Sequence, residues 1–352
     1  LKQEMLASGG DAAVHRESVA CAKPSTDVLI MGTPKQIRLL ASKLAAQPFG
    51  LSGLSRRLIE ILENSEWTDY RLRTGRREMT LGITTAVMGI LNVTPDSFSD
   101  AGAFFDREKA IQRALEMIAE GAELLDIGGE STRPGLAGIS AEEELARVIP
   151  VVEAIARETN IAMSIDTMKP VVAEAALKAG ATILNDQWGL RKEPALADLA
   201  VRYDVPIILM SNQRDRGSYD KDAGRDTGQL TNALAAVIGD LEEGIRTARQ
   251  AGIPEEHIII DPGIGFGKTW QQDIEIIRRL AELKVLEKPI LLGTSRKSLI
   301  KMVLNLPASD RLEGTAATVA IGIANGADII RVHDVPEMVR VCRMADAIVR
   351  QK

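Results

Sequence analysis

The chain has 352 residues, a length that suits one large barrel with an appendage or two ordinary domains. Hydrophobic residues make up 45% and charged residues 26%, but aromatics only 3%, so the core must rest on Ala, Ile, Leu, Val and Met. A formal net charge of -6 argues against nucleic acid as the main partner, while a few local cations could still hold an anionic small substrate. Two distant cysteines, Cys21 and Cys342, form no CxxC or Cys/His cluster, which predicts a reduced, cytoplasmic chain without structural zinc. No apolar run is long enough to span a membrane, and the first residues lack the pattern of a signal peptide. The sequence starts at Leu1 rather than Met, which leaves room for residues ahead of it.

Residues 1–24 carry little periodic signal and are expected to be poorly ordered. Asp27 to Gly32 reads as a strand, Pro34 to Ala46 as a helix and Leu54 to Asn64 as a second helix. RLRTGRREMTL (71–81) reads as a hairpin turning at Thr74-Gly75, expected to close the apolar floor of the domain that follows. The chain thus divides into an N-terminal α/β extension (1–70), a hairpin (71–85) and a main domain (86–352). The extension holds no recognisable chemistry and reads as a structural or assembly appendage.

From Ala86 one pattern repeats: a short apolar run, a polar or Gly-rich turn, then an amphipathic stretch. The apolar runs cover 86–94, 124–129, 161–167, 182–189, 206–212, 257–263, 289–295 and 328–334. Near-continuous apolar runs suit strands buried on both faces, as in parallel sheets. Glu108 to Glu120 reads as a helix, as does Lys169 to Ala179, with Pro170 in its first turn and Gly180 as its C-cap. Ser140 with Glu143 resembles a capping box. Eight such units predict a (β/α)8 TIM barrel, an α/β fold. An open doubly wound sheet is the alternative, although it would more often show a dinucleotide loop that GILNVTPD is not.

Barrel active sites lie at the C-terminal ends of the strands. There the sequence places Asn92, Thr94, Asp96, Phe98 and Asp100, then Glu130, Ser131, Thr132 and Arg133, then Asp166, Asn185, Asp186 and Asp261. Ser295, Arg296, Lys297 and Ser298 follow, and last Arg331, His333 and Asp334. Asp166, Asn185 and Asp261 could read a heterocycle rich in N–H donors. Asn92, Lys297, Arg331 and His333 form a donor cluster suited to an anion. One Asp at a strand end reads more readily as a helix cap, and one Arg as a salt-bridge partner. Convergence of such residues on nearly every strand end is what favours a site. DPGIGFGK (261–268) permits close approach to a flat ligand, and GGESTRPG (128–135) reads as a loop able to close over substrate.

The strings GILNVTPDSFSD (89–100), DIGGESTRPG (126–135), SIDT (164–167), ILND (183–186), DPGIGFGK (261–268), GTSRKS (293–298) and RVHDV (331–335) resemble the dihydropteroate synthase family, in its order. The resemblance implies condensation of a pterin pyrophosphate with 4-aminobenzoate in folate biosynthesis, on a barrel that works as a homodimer and is the sulfonamide target. By the same resemblance Asp166, Asn185, Asp261 and Lys297 look like the pterin-binding set, with Met210 and Phe266 as its apolar wall. Asn92, Arg331 and His333 look like the pyrophosphate site, and Asn92 like a ligand of Mg2+. Phe98, Thr132, Arg133, Pro134 and Ser298 look like the 4-aminobenzoate pocket, with Asp100, Arg133 and Lys297 catalytic. The chain departs from the family at Ala101, where a glycine is usual, and at Ser211, where a histidine often stands on the site's rim; Arg214 to Gly228 reads as a flexible insertion. Rival readings are a methyltetrahydrofolate:corrinoid methyltransferase, which shares the pterin set without needing the anion cluster, and a non-catalytic pterin-binding subunit.

Overall fold

The computed structural model describes residues 1–15, 26–66, 69–75, 77–94, 103–130, 138–215, 219–220, 225–226 and 232–350. They fall into two compact units, Leu1–Trp67 and Thr68–Lys352.

The first unit contains α1 (Lys2–Ala7), β1 (Asp11–Val14), β2 (Val28–Met31), α2 (Pro34–Leu44) and α3 (Leu51–Glu66). β1 and β2 pair antiparallel, with Ala12 opposite Ile30. Thr33 and Gln36 form a reciprocal capping box ahead of Pro34, which starts α2 sharply. Met5, Ala12, Leu40 and Leu44 form the buried centre, with Ile30, Ile37 and Leu54 packed against it. The start of the chain, expected to lack regular structure, supplies α1 and β1, and Met5 and Ala12 tie it into that core. Residues 16–24 lie outside the described residues.

The second unit opens with the hairpin β3 (Tyr70–Thr74) and β4 (Arg77–Leu81). Eight parallel strands follow: β5 (Ala86–Asn92), β6 (Leu124–Gly128), β7 (Ala162–Asp166), β8 (Ile183–Asp186), β9 (Ile207–Met210), β12 (Ile258–Asp261), β13 (Leu291–Leu292) and β14 (Ile329–Val332). A two-residue pair, β10 (Tyr219–Asp220) with β11 (Arg225–Asp226), falls after β9, in the expected insertion, most of which is outside the described residues. Hydrogen bonding runs from β12 through β9, β8, β7, β6, β5 and β14 to β13. A parallel bridge from Ile260 to Ile290 brings β12 back against the β13 side, so the sheet is a nearly closed (β/α)8 barrel. Helices α4 (Ala103–Glu120), α5 (Ala141–Glu158), α6 (Pro170–Ala179), α7 (Ala195–Tyr203), α8 (Ala233–Ala251), α9 (Trp270–Arg278), α10 (Ser298–Leu304), α11 (Leu312–Ala324) and α12 (Val335–Val349) surround it.

Strand parity organises the interior. Ala86, Met88, Leu124, Ala162, Ile183, Ile208, Ile259, Leu291 and Ile329 cluster together, at least one residue from every strand, so they fill the barrel lumen. Leu72, Met79 and Leu81 of the hairpin join the same cluster and close the floor. The alternate residues, among them Val87, Leu125, Met163, Leu184, Ile207, Ile260 and Ile330, pack outward against the helices. Gly180, in the left-handed region at φ 120°, ends α6 as expected. Only half of the expected capping box forms at α5: Ser140 accepts the Glu143 amide, while the Glu143 carboxylate turns to Arg147 at 2.5 Å.

Candidate active site

Because side chains alternate along a strand, the position two residues beyond each floor residue also faces the lumen, one layer higher. From Leu124 that rule reaches Asp126, from Ile183 Asn185, from Ile208 Met210, from Ile259 Asp261 and from Ile329 Arg331. Two further residues along stand Glu130 after Gly128, Asp166 after Ser164, Gln187 after Asn185 and His333 after Arg331. An apolar floor thus carries a polar ceiling, and above it opens a cavity of about 820 Å³. Asn92, Glu130, Asp166, Gln187, Phe266, Lys297, Ser298, Arg331 and His333 are among its lining residues.

One half of the ceiling is a hydrogen-bonded group around two carboxylates. Arg331 Nε donates to Asp126 Oδ2 at 2.5 Å, and its Nη2 donates to Asp166 Oδ2 at 3.1 Å. Asn185 donates its side-chain amide to both Asp126 oxygens at 3.2 Å. Gln187 Nε2 donates to Asp166 Oδ1 at 2.7 Å. Burial raises the Asp166 pKa, the Asp126 charge adds to the rise, and Arg331 opposes it. Burial also disfavours the Arg331 charge, but Asp126 and Asp166 outweigh it and hold the guanidinium above its ordinary range.

The other half is cationic. Lys297 Nζ donates to the Ile264 carbonyl and lies 4.8 Å from the centre of the Phe266 ring; the Arg214 guanidinium lies 4.3 Å from the same ring. Among the described residues no carboxylate pairs directly with Lys297, so its charge is available to an anion. Burial pulls the Lys297 ammonium down to about 8, with Asp261 opposing. Asp261 is itself pushed up by burial, and Lys297 and the Gly263 amide at 2.7 Å pull it back. Burial, with Arg331 and Arg296 nearby, brings His333 down to about 4, so its ring is neutral near pH 7. Ser295 Oγ accepts the His333 amide at 3.2 Å and lies 2.9 Å from Nδ1; donating its hydroxyl there puts the imidazole proton on Nε2. Arg296 sits at φ 56°, and this turn lets Ser295 and Lys297 both serve the site. Its guanidinium grips Asp334, with Nε 3.0 Å from Oδ2. Among the described residues seven cations line the cavity against three carboxylates, in a chain whose net charge is -6.

Asn92, Asp166, Phe266, Lys297, Ser298, Arg331 and His333, all expected from sequence, line this one cavity. Asn185, Met210 and Asp261 are not on its surface; they are 7%, 5% and 7% exposed and stand behind it in the ceiling. Asp100, Phe98, Thr132, Arg133 and Pro134 lie outside the described residues, as does Ala101. Asp186 has the opposite parity to Asn185 and leaves the site: its carboxylate takes the amides of Trp188 at 2.9 Å and Leu190 at 2.6 Å. Ser211 likewise is not on the rim but fully buried, donating to Asp240 at 2.9 Å. Sequence reasoning missed Asp126 and Gln187. Parity within LLDIGG and ILNDQ would have found both.

A family profile for pterin binding enzymes matches residues 88–333. The dihydropteroate synthase of Clostridium beijerinckii is 48% identical over 281 residues, 80% of this chain and 100% of that protein. A probable bifunctional folylpolyglutamate synthase/dihydropteroate synthase of Haloferax volcanii is 38% identical over 98% of this chain and 41% of that protein, a match that takes in the first unit as well. The crystal structure of dihydropteroate synthase from Clostridium difficile, obtained in the presence of pteroic acid, is 49% identical and superposes with a TM-score of 0.71, covering 77% of this chain and 99% of that chain.

Proposed function

The chain belongs to the dihydropteroate synthase family of pterin-binding enzymes, and from that membership and its cavity we propose how this transferase joins 6-hydroxymethyl-7,8-dihydropterin pyrophosphate to 4-aminobenzoate. The observation that carries the reading is the division of one cavity into a hydrogen-bonding half and a cationic half. A dihydropterin offers several N–H donors on one edge; Asp166 on the cavity surface supplies an acceptor for them, and Asn185 and Asp261 stand just behind it in the ceiling. Phe266 gives the flat ring an apolar wall, with Met210 behind it. Lys297, Arg331 and His333, the last through its Nε2 proton, face the pyrophosphate.

The C–O bond between the pterin methylene and pyrophosphate breaks, and the electron pair leaves with the phosphate oxygen. The cation left behind is delocalised into the ring. The 4-aminobenzoate nitrogen then bonds to that carbon and loses one proton. Fixed donors that meet the charge growing on the leaving group lower the barrier most. By family resemblance Ser298, with Phe98, Thr132, Arg133 and Pro134, would form the 4-aminobenzoate pocket, and Asp100 would stand near the pterin methylene.

Asn92 is exposed in the cavity and makes no side-chain hydrogen bond among the described residues, so its carbonyl oxygen is open to a hard cation. A single amide oxygen fits Mg2+, which keeps several waters and takes the rest of its ligands from phosphate. Bound there, Mg2+ would neutralise charge on the leaving pyrophosphate.

Met302 and Val303 of α10, Ile321 of α11 and Met344 and Ile348 of α12 are exposed, and these apolar surfaces support a homodimer through the late helices. No described helix is long and apolar enough to cross a membrane, and the cysteine pattern favours the cytoplasm. Pyrophosphate release tests the reading. It should appear with both substrates and Mg2+ and fall sharply when either substrate is omitted. A chain that binds the pterin pyrophosphate but releases nothing with 4-aminobenzoate present would be a binding subunit instead.

A further inference from the structure

The wall beside Lys297 is the loop between β12 and α9, bent back on itself by Gly263, Gly265 and Gly267. Its cavity side gives Lys297 a seat. The Ile264 carbonyl accepts from Nζ, the Phe266 ring lies below, and a Cβ on Gly265 would stand 3.3 Å from Lys297 Cδ. Its far side is held by groups absent from the cavity lining. Lys268 Nζ donates to the Gly263 carbonyl at 2.7 Å and the Phe266 carbonyl at 3.3 Å, and the Gln213 amide donates to the Phe266 carbonyl at 3.2 Å. Asp273, in the first turn of α9, accepts the Gly265 amide on Oδ2 at 3.0 Å.

Asp273 is 1% exposed, and its Oδ1 has no hydrogen-bond partner among the described residues. A neutral Asn could accept the same amide, so bracing the loop does not by itself call for a buried charge. Lys268 and Lys297 are the cations in its field. We infer that Asp273 is a positioning residue for Lys297: its carboxylate fixes the Gly265 amide, hence the wall Lys297 lies against, and its charge behind that wall supports the ammonium. The inference rests on the proposed synthase reaction, in which Lys297 meets substrate.

Asp261 from β12, Arg331 from β14, Asp273 from α9 and Lys268 from the loop all act on Lys297, after burial itself. Asp273 opposes the downward pull of burial. Removing its charge therefore makes Lys297 lose its proton at lower pH.

The test compares the full chain with Asp273→Asn, Asp273→Ala and Lys297→Ala, following pyrophosphate release with both substrates over roughly pH 6 to 9. Asp273→Asn keeps the Gly265 bond, so kcat at pH 7 should stay within about twofold, while the alkaline limb of kcat/KM moves down by about half a pH unit. Asp273→Ala loses brace and charge, and kcat/KM should fall about tenfold, with Asn restoring most of that loss. An alkaline limb in Asp273→Asn that superimposes on wild type overturns the inference. So does a folded Asp273→Ala with wild-type kcat/KM, or a Lys297→Ala as active as wild type; if Asp273→Ala does not fold, the Asn profile decides. An inactive wild type defeats the synthase reading instead.

Discussion

Arg331 serves two carboxylates at once, and that limits what can replace it. Asp126 is 1% exposed, and Asn185 offers it a neutral donor but no charge. In Arg331→Ala, Asp126 and Asp166 would face each other across a buried site without a cation. Breaking a buried pair in this way costs about 3–5 kcal/mol, well above a surface pair. Urea unfolding near pH 9 should show a loss of that order, together with loss of turnover. The sign with pH follows from the carboxylates. Burial has already pushed the Asp166 carboxyl up to about 7 against the pull of Arg331; without Arg331 it rises further, so the penalty is full only above that value and shrinks as pH falls and Asp166 takes up its proton. A loss that stayed constant down to pH 5 would place the effect elsewhere. Arg331→Lys keeps a charge but not the fork, and should recover stability better than activity. At this scale the sequence was readable wherever parity was followed. Asp166, Asn185, Asp261, Arg331 and His333 stand on the lumen side of their strands. Asp186 is as polar as its neighbour, yet faces outward and caps a turn. Asp126 sits inside an apolar run and drew no notice, because a polar residue is conspicuous at a strand end but not within a strand.

Among elements, the hairpin shows most directly how distance from the chemistry separates stability from function. β3 and β4 contribute Leu72, Met79 and Leu81 to the cluster that fills the barrel floor, and Leu72 is fully buried. Leu72→Ala should cost about 2–5 kcal/mol, the range for a large-to-small change in a close-packed core. The cavity opens at the other ends of the strands, so kcat/KM of the folded fraction should remain within about twofold. Denaturant unfolding and steady-state kinetics on one preparation separate the two effects, and a KM that rose with the loss of stability would contradict the separation. This hairpin was legible because two alternating runs flank Thr74-Gly75, and Gly75 does take the left-handed conformation, at φ 58°. α1 and β1 were not, since six and four residues are too few to show a period. The strands were read too long for a related reason. Their apolar runs continue into turns, and β13 retains only two ladder residues although 289–295 reads as one strand.

At the scale of the whole molecule, the two units have separate cores. The cluster around Met5, Leu40 and Leu44 draws every member from the first unit, and the barrel clusters draw theirs from the second. Every residue lining the cavity also belongs to the second unit, as does the floor hairpin. A chain beginning at Thr68 therefore retains a closed floor, a ceiling and a site. It should unfold in one cooperative transition, with kcat/KM for both substrates within about threefold of the full chain, since its core and the described lining of its cavity come from its own residues. The Clostridium beijerinckii relative points the same way, because its match to four fifths of this chain accounts for the whole of that protein. The isolated first unit should be far less secure, because a domain of that size buries a smaller fraction of its surface than a large one and has little margin over chain entropy. Circular dichroism of the two fragments, with turnover of the longer one, checks both halves of the expectation. If the longer fragment folds but turns over more than about tenfold slower, the first unit contributes to catalysis and its exposed apolar residues, Leu29 and Phe49 foremost, become the places to look.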